Sequence, residues 1–159
     1  MFSFLNSSRL PAHLQRLKTL PLFAGLTPRE LKIVDALMHQ RRFLAGEIVF
    51  DEGEEGQALY ILLSGTVTVT RSIDGVRETV AELSSGSFFG DLALLDNTPR
   101  SGQIRAKEAC EMAVFFRADF LALMEIDARI GYKISLQLAR NLAQRLRGAL
   151  LGRPRVEVL

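Results

Sequence analysis

Hydrophobic and polar positions along this chain fall into three zones with different periods. From Pro11 to Leu20 and from Thr27 to His39, apolar residues recur every three to four positions, the spacing of helices with one buried face. Thr27 is a good N-cap, Pro28 suits the first helical position, and Glu30 stands where a capping box needs its carboxylate. The middle zone changes period. Glu47 to Phe50, Ala58 to Leu63, Thr66 to Arg71, Arg77 to Leu83, Gln103 to Ala106 and Cys110 to Phe116 are short and β-prone, punctuated by Gly46, Gly53, Gly65, Asp74-Gly75 and Gly86. Thr66-Val67-Thr68-Val69-Thr70 alternates strictly, so one face is buried and the other wet, and Asp74-Gly75 is a strong hairpin signal. Helical spacing returns from Asp119 to Met124 and from Asp127 to about Leu151.

Strands at such regular intervals between helices predict a mainly β, α+β protein: an antiparallel β jelly-roll barrel with N-terminal helices and a long C-terminal helix. The expected division is one domain, 1–159, with N-terminal helices over 11–40, the barrel over 41–116 and C-terminal helices over 117–151. No internal repeat or low-complexity linker interrupts it. On the last helix Leu136, Ala139, Ala143, Leu146 and Leu150 fall on the a and d positions of a heptad. With Ile134, Leu138 and Leu142 they cover an arc of roughly 200°, wider than one core contact requires. Two readings follow: a seam for a second copy, or a helix sunk deeply into its own barrel.

Between Gly86 and Ala106 the chain places a glycine turn, a short apolar helical stretch and a Pro99-Arg100-Ser101 corner close together. That order suits an anion. Backbone N–H groups at a helix start point outward unsatisfied, Arg100 offers a planar fork of donors, and Ser101 adds a hydroxyl. Asp91 would repel a phosphate unless it accepts from a neighbouring hydroxyl, such as that of a ribose. Residue types alone leave a second reading open, with Asp91 capping a helix and Arg100 solvated at a loop corner.

Composition narrows the classes. The chain has 159 residues, 48% of them hydrophobic, and a formal charge of +2, so charge alone does not argue for nucleic acid or membrane as partner. Arginines gather towards both ends: Arg9, Arg16, Arg29, Arg41 and Arg42, then Arg140, Arg145, Arg147, Arg153 and Arg155. They read as solvated helix faces, with a basic docking surface as the alternative. Cys110, the only cysteine, excludes an internal disulfide and any Cys-rich metal site and reads as buried and inert. His13 and His39 lack neighbouring ligand types, so no metal site and no cofactor are expected. No paired carboxylates with a histidine and no nucleophile with a base can be assembled, which argues against an enzyme. No segment reads as a membrane span or signal peptide, so the expected compartment is the cytoplasm, with no membrane insertion.

The segment Phe89-Gly90-Asp91-Leu92-Ala93-Leu94-Leu95, the spacer Asp96-Asn97-Thr98 and Pro99-Arg100-Ser101-Gly102-Gln103-Ile104 resemble the phosphate-binding cassette of cyclic nucleotide-binding domains. That pattern runs Phe-Gly-Glu-Leu-Ala-Leu-Leu, a short spacer, then Pro-Arg-x-Ala-Thr-Val. Upstream, Pro21-Leu22-Phe23 with Leu26, Gly46-Glu47, Asp51-Glu52-Gly53-Glu54 and Tyr60-Ile61-Leu62-Leu63-Ser64-Gly65 follow the family's order. Downstream, Arg105-Ala106-Lys107, Ala109-Cys110-Glu111 and Gln137-Leu138-Ala139-Arg140 are similar to the catabolite activator group.

The resemblance implies a cyclic nucleotide ligand, cAMP or less readily cGMP. Arg100 would pair with the phosphate, Ser101 and the Gly102 amide would donate to it, and Phe89 with the Gly90, Asp91, Leu92 and Ala93 backbone would frame phosphate and ribose. Val69 and Val80 would line the sugar and base pocket. Asp91 stands where the family usually has Glu for the ribose 2′-hydroxyl, and Gln103 removes the hydroxyl associated with cGMP. Arg145 falls at a base-contacting position and would either stack on a purine or remain solvated. The resemblance also favours a homodimer through the last helix and a signal passed to a downstream protein not identified by the sequence. In the catabolite activator group the long helix leads into a winged helix-turn-helix; here only Gly152-Arg153-Pro154 and a few residues follow, so sequence-specific DNA binding is not expected. The alternatives are a degenerate, non-binding dimerisation scaffold of the same fold and a cyclic dinucleotide receptor assisted by Arg145 and the basic C-terminal end.

Overall fold

The structure is a computed structural model that describes residues 10–152; Arg9, Arg153 and Arg155 of the two arginine groups lie outside the described residues. Helix α1 (Ala12–Thr19) buries Leu14 and Leu17 and leads through a 3-10 turn, Pro21–Phe23, to α2 (Pro28–Leu37). The expected capping box starts α2: the Glu30 N–H donates to Thr27 Oγ1 at 3.2 Å and the Thr27 N–H donates to Glu30 Oε1 at 3.0 Å. The helix stops earlier than its periodicity suggests. Met38 is already extended, and His39 opens a strand, β1 (His39–Phe43), so the barrel begins two residues before the expected boundary at 41. β1 reads His-Gln-Arg-Arg-Phe and carries no apolar alternation; a neighbouring strand, not its own pattern, makes it extended.

The remaining strands are β2 (Ile48–Phe50), β3 (Ala58–Ser64), β4 (Thr66–Ile73), β5 (Val76–Ser84), β6 (Phe88–Phe89), β7 (Gln103–Ala106) and β8 (Cys110–Phe116). A 3-10 turn, Asp91–Leu94, links β6 to the loop before β7, and α3 (Arg117–Ile126) and α4 (Ala128–Leu150) close the fold. Two four-stranded antiparallel sheets result, ordered β1-β8-β3-β6 and β2-β7-β4-β5, in the expected jelly-roll class. The Asp74-Gly75 hairpin joins β4 to β5 with positive φ at both residues, 51° and 79°, and pairs Ile73 with Val76. Farther along this pair Val69 faces Ala81 while Thr70 faces Thr79, leaving Val80 as the extra residue of a bulge. The two-residue strand β6 is too short for periodicity to reveal.

Two apolar clusters hold these layers. Phe50, Leu62, Val67, Val69, Phe89, Ile104, Ala106, Cys110 and Met112 fill the space between the sheets. Leu59, Ile61, Ala113 and Phe115 face the other way, against Leu31, Val34, Phe120, Ile130, Ile134 and Leu138 of the helices. β3 and β8 thus lie between two cores, which is why their sequences are nearly continuous apolar runs rather than alternating. Cys110 is buried among these residues, and burial pushes its thiol pKa up.

α4 begins at Asp127, whose Oδ1 accepts from the Ile130 N–H at 3.3 Å. Its first half buries Ile130, Ile134 and Leu138, one row spaced every fourth residue. The wide arc expected from the sequence buries only this row within the chain. Leu136 and Ala143 are half-buried, and Ala139, Leu146 and Leu150 are exposed. Accordingly, Ile134→Ala should destabilise the fold by about 2–5 kcal/mol, whereas Leu44→Ala, at an exposed position, should stay within about 0.5 kcal/mol, both measured by guanidinium denaturation.

Candidate functional site

Three backbone arrangements bring Gly90, Asp91 and Arg100 to one place. Gly90 ends β6 in the left-handed region, φ 78° and ψ 21°, and turns the chain into the 3-10 turn that Asp91 starts. Arg100 is pinned through its own backbone: its N–H donates to the Glu54 carbonyl at 2.7 Å, and its carbonyl accepts from the Gly53 N–H at 2.8 Å. Arg117, at the first position of α3, reaches the turn from the other side, its Nη1 donating to the carbonyls of Gly56 at 3.0 Å and Asp96 at 2.6 Å, with Ala93 O at 3.4 Å.

The Arg100 side chain turns inward. It is 8% exposed, its guanidinium lies 4.1 Å from the centre of the Phe50 ring, and its Nη2 donates to Ala58 O at 2.8 Å. Nη1 sits 3.5 Å from Gly90 O, a long contact. The left-handed φ disfavours any side chain at position 90, and a Cβ there would lie 3.0 Å from Ala58 O and 2.5 Å from Arg100 Nη1, displacing the guanidinium. Among the described residues Arg100 has no ion pair with any carboxylate. Burial pushes its pKa below the ordinary arginine value, opposed by the charges of Tyr60, Glu54 and Asp91. A guanidinium has five N–H donors, so this buried cation keeps donor capacity, and among the described residues no carboxylate comes within ion-pair distance of it. It also borders a cavity of about 410 Å³ walled by Phe50, Tyr60, Phe116, Arg41 and Glu54.

Asp91 is fully buried, and its carboxylate is occupied. Arg145 Nη2 donates to Oδ1 at 2.9 Å and Oδ2 at 2.8 Å, and Asn141 Nδ2 donates to Oδ2 at 3.2 Å. The expectation for Arg145 was a purine stack or a solvated side chain; its guanidinium instead sits on Asp91 with 19% of the side chain exposed. Gln103 also has a partner. Its Nε2 donates to Asp51 Oδ1 at 2.9 Å, and this bond, followed by the Glu52 N–H, holds the Asp51 carboxyl below the usual carboxylate range.

The other expected residues divide. Ala93 lies against this cluster, near Gly56 and Arg100. Phe89 is fully buried and stacks on Tyr60, ring centres 5.5 Å apart, so its side chain belongs to the core. Val69 is buried between the sheets and Val80 packs at their edge. Leu92 and Ser101 are exposed, while Gly102 is buried; the Ser101 carbonyl accepts from Arg71 Nε at 3.1 Å. Sequence reasoning missed Phe50, Asn141, Arg71 and Arg117. Asn141 alone carried a signal, one helical turn before Arg145 on the same face. Among the described residues no group of three His, Cys, Asp or Glu converges as metal ligands, and no helix is long and apolar enough to cross a membrane.

The family model for the cyclic nucleotide-binding domain matches residues 40–127. The cyclic AMP receptor protein of Thermus thermophilus is 36% identical over 129 residues, which are 80% of this chain and 60% of that protein. A cAMP-dependent protein kinase regulatory subunit of Emericella nidulans is 40% identical over 109 residues, 68% of this chain and 26% of that one. The chain therefore spans 60% or less of the length of these relatives. Among solved structures, the Thermus thermophilus catabolite activator protein superposes with a TM-score of 0.74 at 38% identity, covering 83% of this chain and 61% of that chain. The regulatory domain of Toxoplasma gondii PKA, crystallised with cAMP, gives 0.64 at 32% identity, covering 69% and 42%. The seat beneath Arg100 is open to a direct check: Gly90→Ala should lower stability by about 1–3 kcal/mol through left-handed strain and displacement of the guanidinium, read as a lower melting temperature.

Proposed function

Because this chain belongs to the cyclic nucleotide-binding domain family, we propose that it is a cyclic nucleotide sensor that binds cAMP and passes the occupied state to a partner protein through α4. The observation that carries this reading is Arg100, a buried cation with free donors and no ion pair among the described residues. A buried charge without a partner is costly. A phosphate monoanion removes that cost and takes a bidentate, charge-assisted pair.

In the proposed complex Arg100, the Ser101 hydroxyl and the Gly102 amide hold the phosphate, the Gly90–Ala93 backbone frames it, and Val69 and Val80 line the sugar and base. The Thermus and Emericella relatives are named for cyclic AMP, which supports that nucleotide. Gln103 supports it further, since its amide is engaged by Asp51 and it has no hydroxyl to offer a guanine. The exposed row Ala139, Leu146 and Leu150 on α4 supports a homodimer formed through that helix. A non-binding scaffold of the same fold is the second reading, and the occupied carboxylate of Asp91 is the observation in its favour.

Isothermal titration with cAMP, cGMP and cyclic di-GMP separates these readings. Heat with cAMP is expected, and heat with none of the three would leave only the scaffold. Arg100→Ala should weaken cAMP binding by about 2 kcal/mol or more, roughly 30-fold; unchanged affinity would remove the phosphate assignment. Sedimentation velocity tests the dimer: Leu146→Glu with Leu150→Glu should convert it to a monomer.

A further inference from the structure

We infer that Arg145 is an internal competitor for the ligand site, a latch by which α4 occupies the carboxylate that a ribose hydroxyl needs. This inference rests on the nucleotide-sensor reading and adds its regulation. The geometry is specific. Asp91 is 0% exposed, and its two oxygens already accept three hydrogen bonds, two from Arg145 and one from Asn141. A carboxylate offers about four lone-pair sites, and the burial of this one leaves no open approach. A 2′-hydroxyl therefore reaches Asp91 only when the guanidinium withdraws.

The latch also holds one half of a helix. Ile130, Ile134 and Leu138 bury the first half of α4, whereas from Ala139 to Leu150 only Gly148 is buried. Asn141 and Arg145 are the residues of that second half whose side chains bond the barrel among the described residues. The same stretch carries the exposed Leu146 and Leu150. Release of Arg145 thus frees the three last turns of α4, and occupation of Asp91 by ligand is linked to the position of that apolar row. Linkage works in both directions: whatever holds α4 against the barrel weakens the ligand, and the ligand weakens that hold.

The test compares the full chain with its Arg145→Gln variant, using cAMP and 2′-deoxy-cAMP in calorimetry. If the unlatched state is about one molecule in ten, removing the latch raises apparent affinity about tenfold. The expected result is that cAMP binds Arg145→Gln about tenfold tighter while 2′-deoxy-cAMP binds both proteins alike, a hydroxyl-dependent difference that a merely structural arginine would not produce. Arg145→Lys, which keeps the charge on a shorter side chain whose ammonium is more strongly hydrated, is expected to fall between the two and serves if the glutamine variant does not fold. Binding by the variant but not by the parent also supports the latch. Equal or weaker cAMP binding by the variants overturns the latch and leaves the sensor standing; absence of binding by every protein overturns both. Hydrogen exchange gives a second readout: amides from 139 to 150 should exchange faster when cAMP is added, and faster from the start in Arg145→Gln. Protection that stays the same in all three states overturns the latch.

Discussion

A guanidinium buried against a phenylalanine ring, with no carboxylate paired to it among the described residues, is the constraint around which this fold is arranged. A side chain at Gly90 would displace the Arg100 guanidinium, one at Gly56 would press on Ala93 and the Thr98 carbonyl, and the loop at Gly53 and Glu54 fixes the Arg100 backbone. Phe50 reaches it from β2 and Ala58 from β3, so both sheets contribute to the seat. Replacing the charge by an apolar residue would relieve a desolvation cost. The chain instead carries that cost where its backbone converges, as expected of a group reserved for an anion.

Much of this was legible beforehand because it was local. The capping box at Thr27, the turn at Asp74-Gly75 and the alternation from Thr66 to Thr70 each depend on neighbours in sequence, and each appears in the structure. β1 was not legible, since its polar side chains carry no period and its extension depends on β8, some seventy positions away. The same distinction runs through the site. Gly90 and Arg100 sit in one short segment whose order of residues was readable, whereas Phe50 beneath Arg100 and Asn141 beside Asp91 come from elements distant in sequence. Arg145 was singled out for its position, but its partner Asp91 was not foreseen. Nothing local in the chain announces that an arginine on the last helix will meet an aspartate at the start of a 3-10 turn.

α4 is held in two unlike ways. Its first half is fastened by close apolar packing, which is cooperative and insensitive to single polar contacts. Its second half is fastened by a few directional bonds to a buried charge, an arrangement that is either made or broken. Local opening in such a helix should therefore begin beyond Leu138 and leave the core at Ile130 and Ile134 undisturbed.

Arg117 gives the 3-10 turn a mechanical partner. Its guanidinium collects carbonyls from Gly56, Ala93 and Asp96, and its own backbone N–H donates to Gln57 O at 2.8 Å, all at the first turn of α3. α3 packs in turn along α4. Through Arg117 and α3 the turn at Asp91 is therefore joined to the last helix by a run of contacts that does not pass through the sheets.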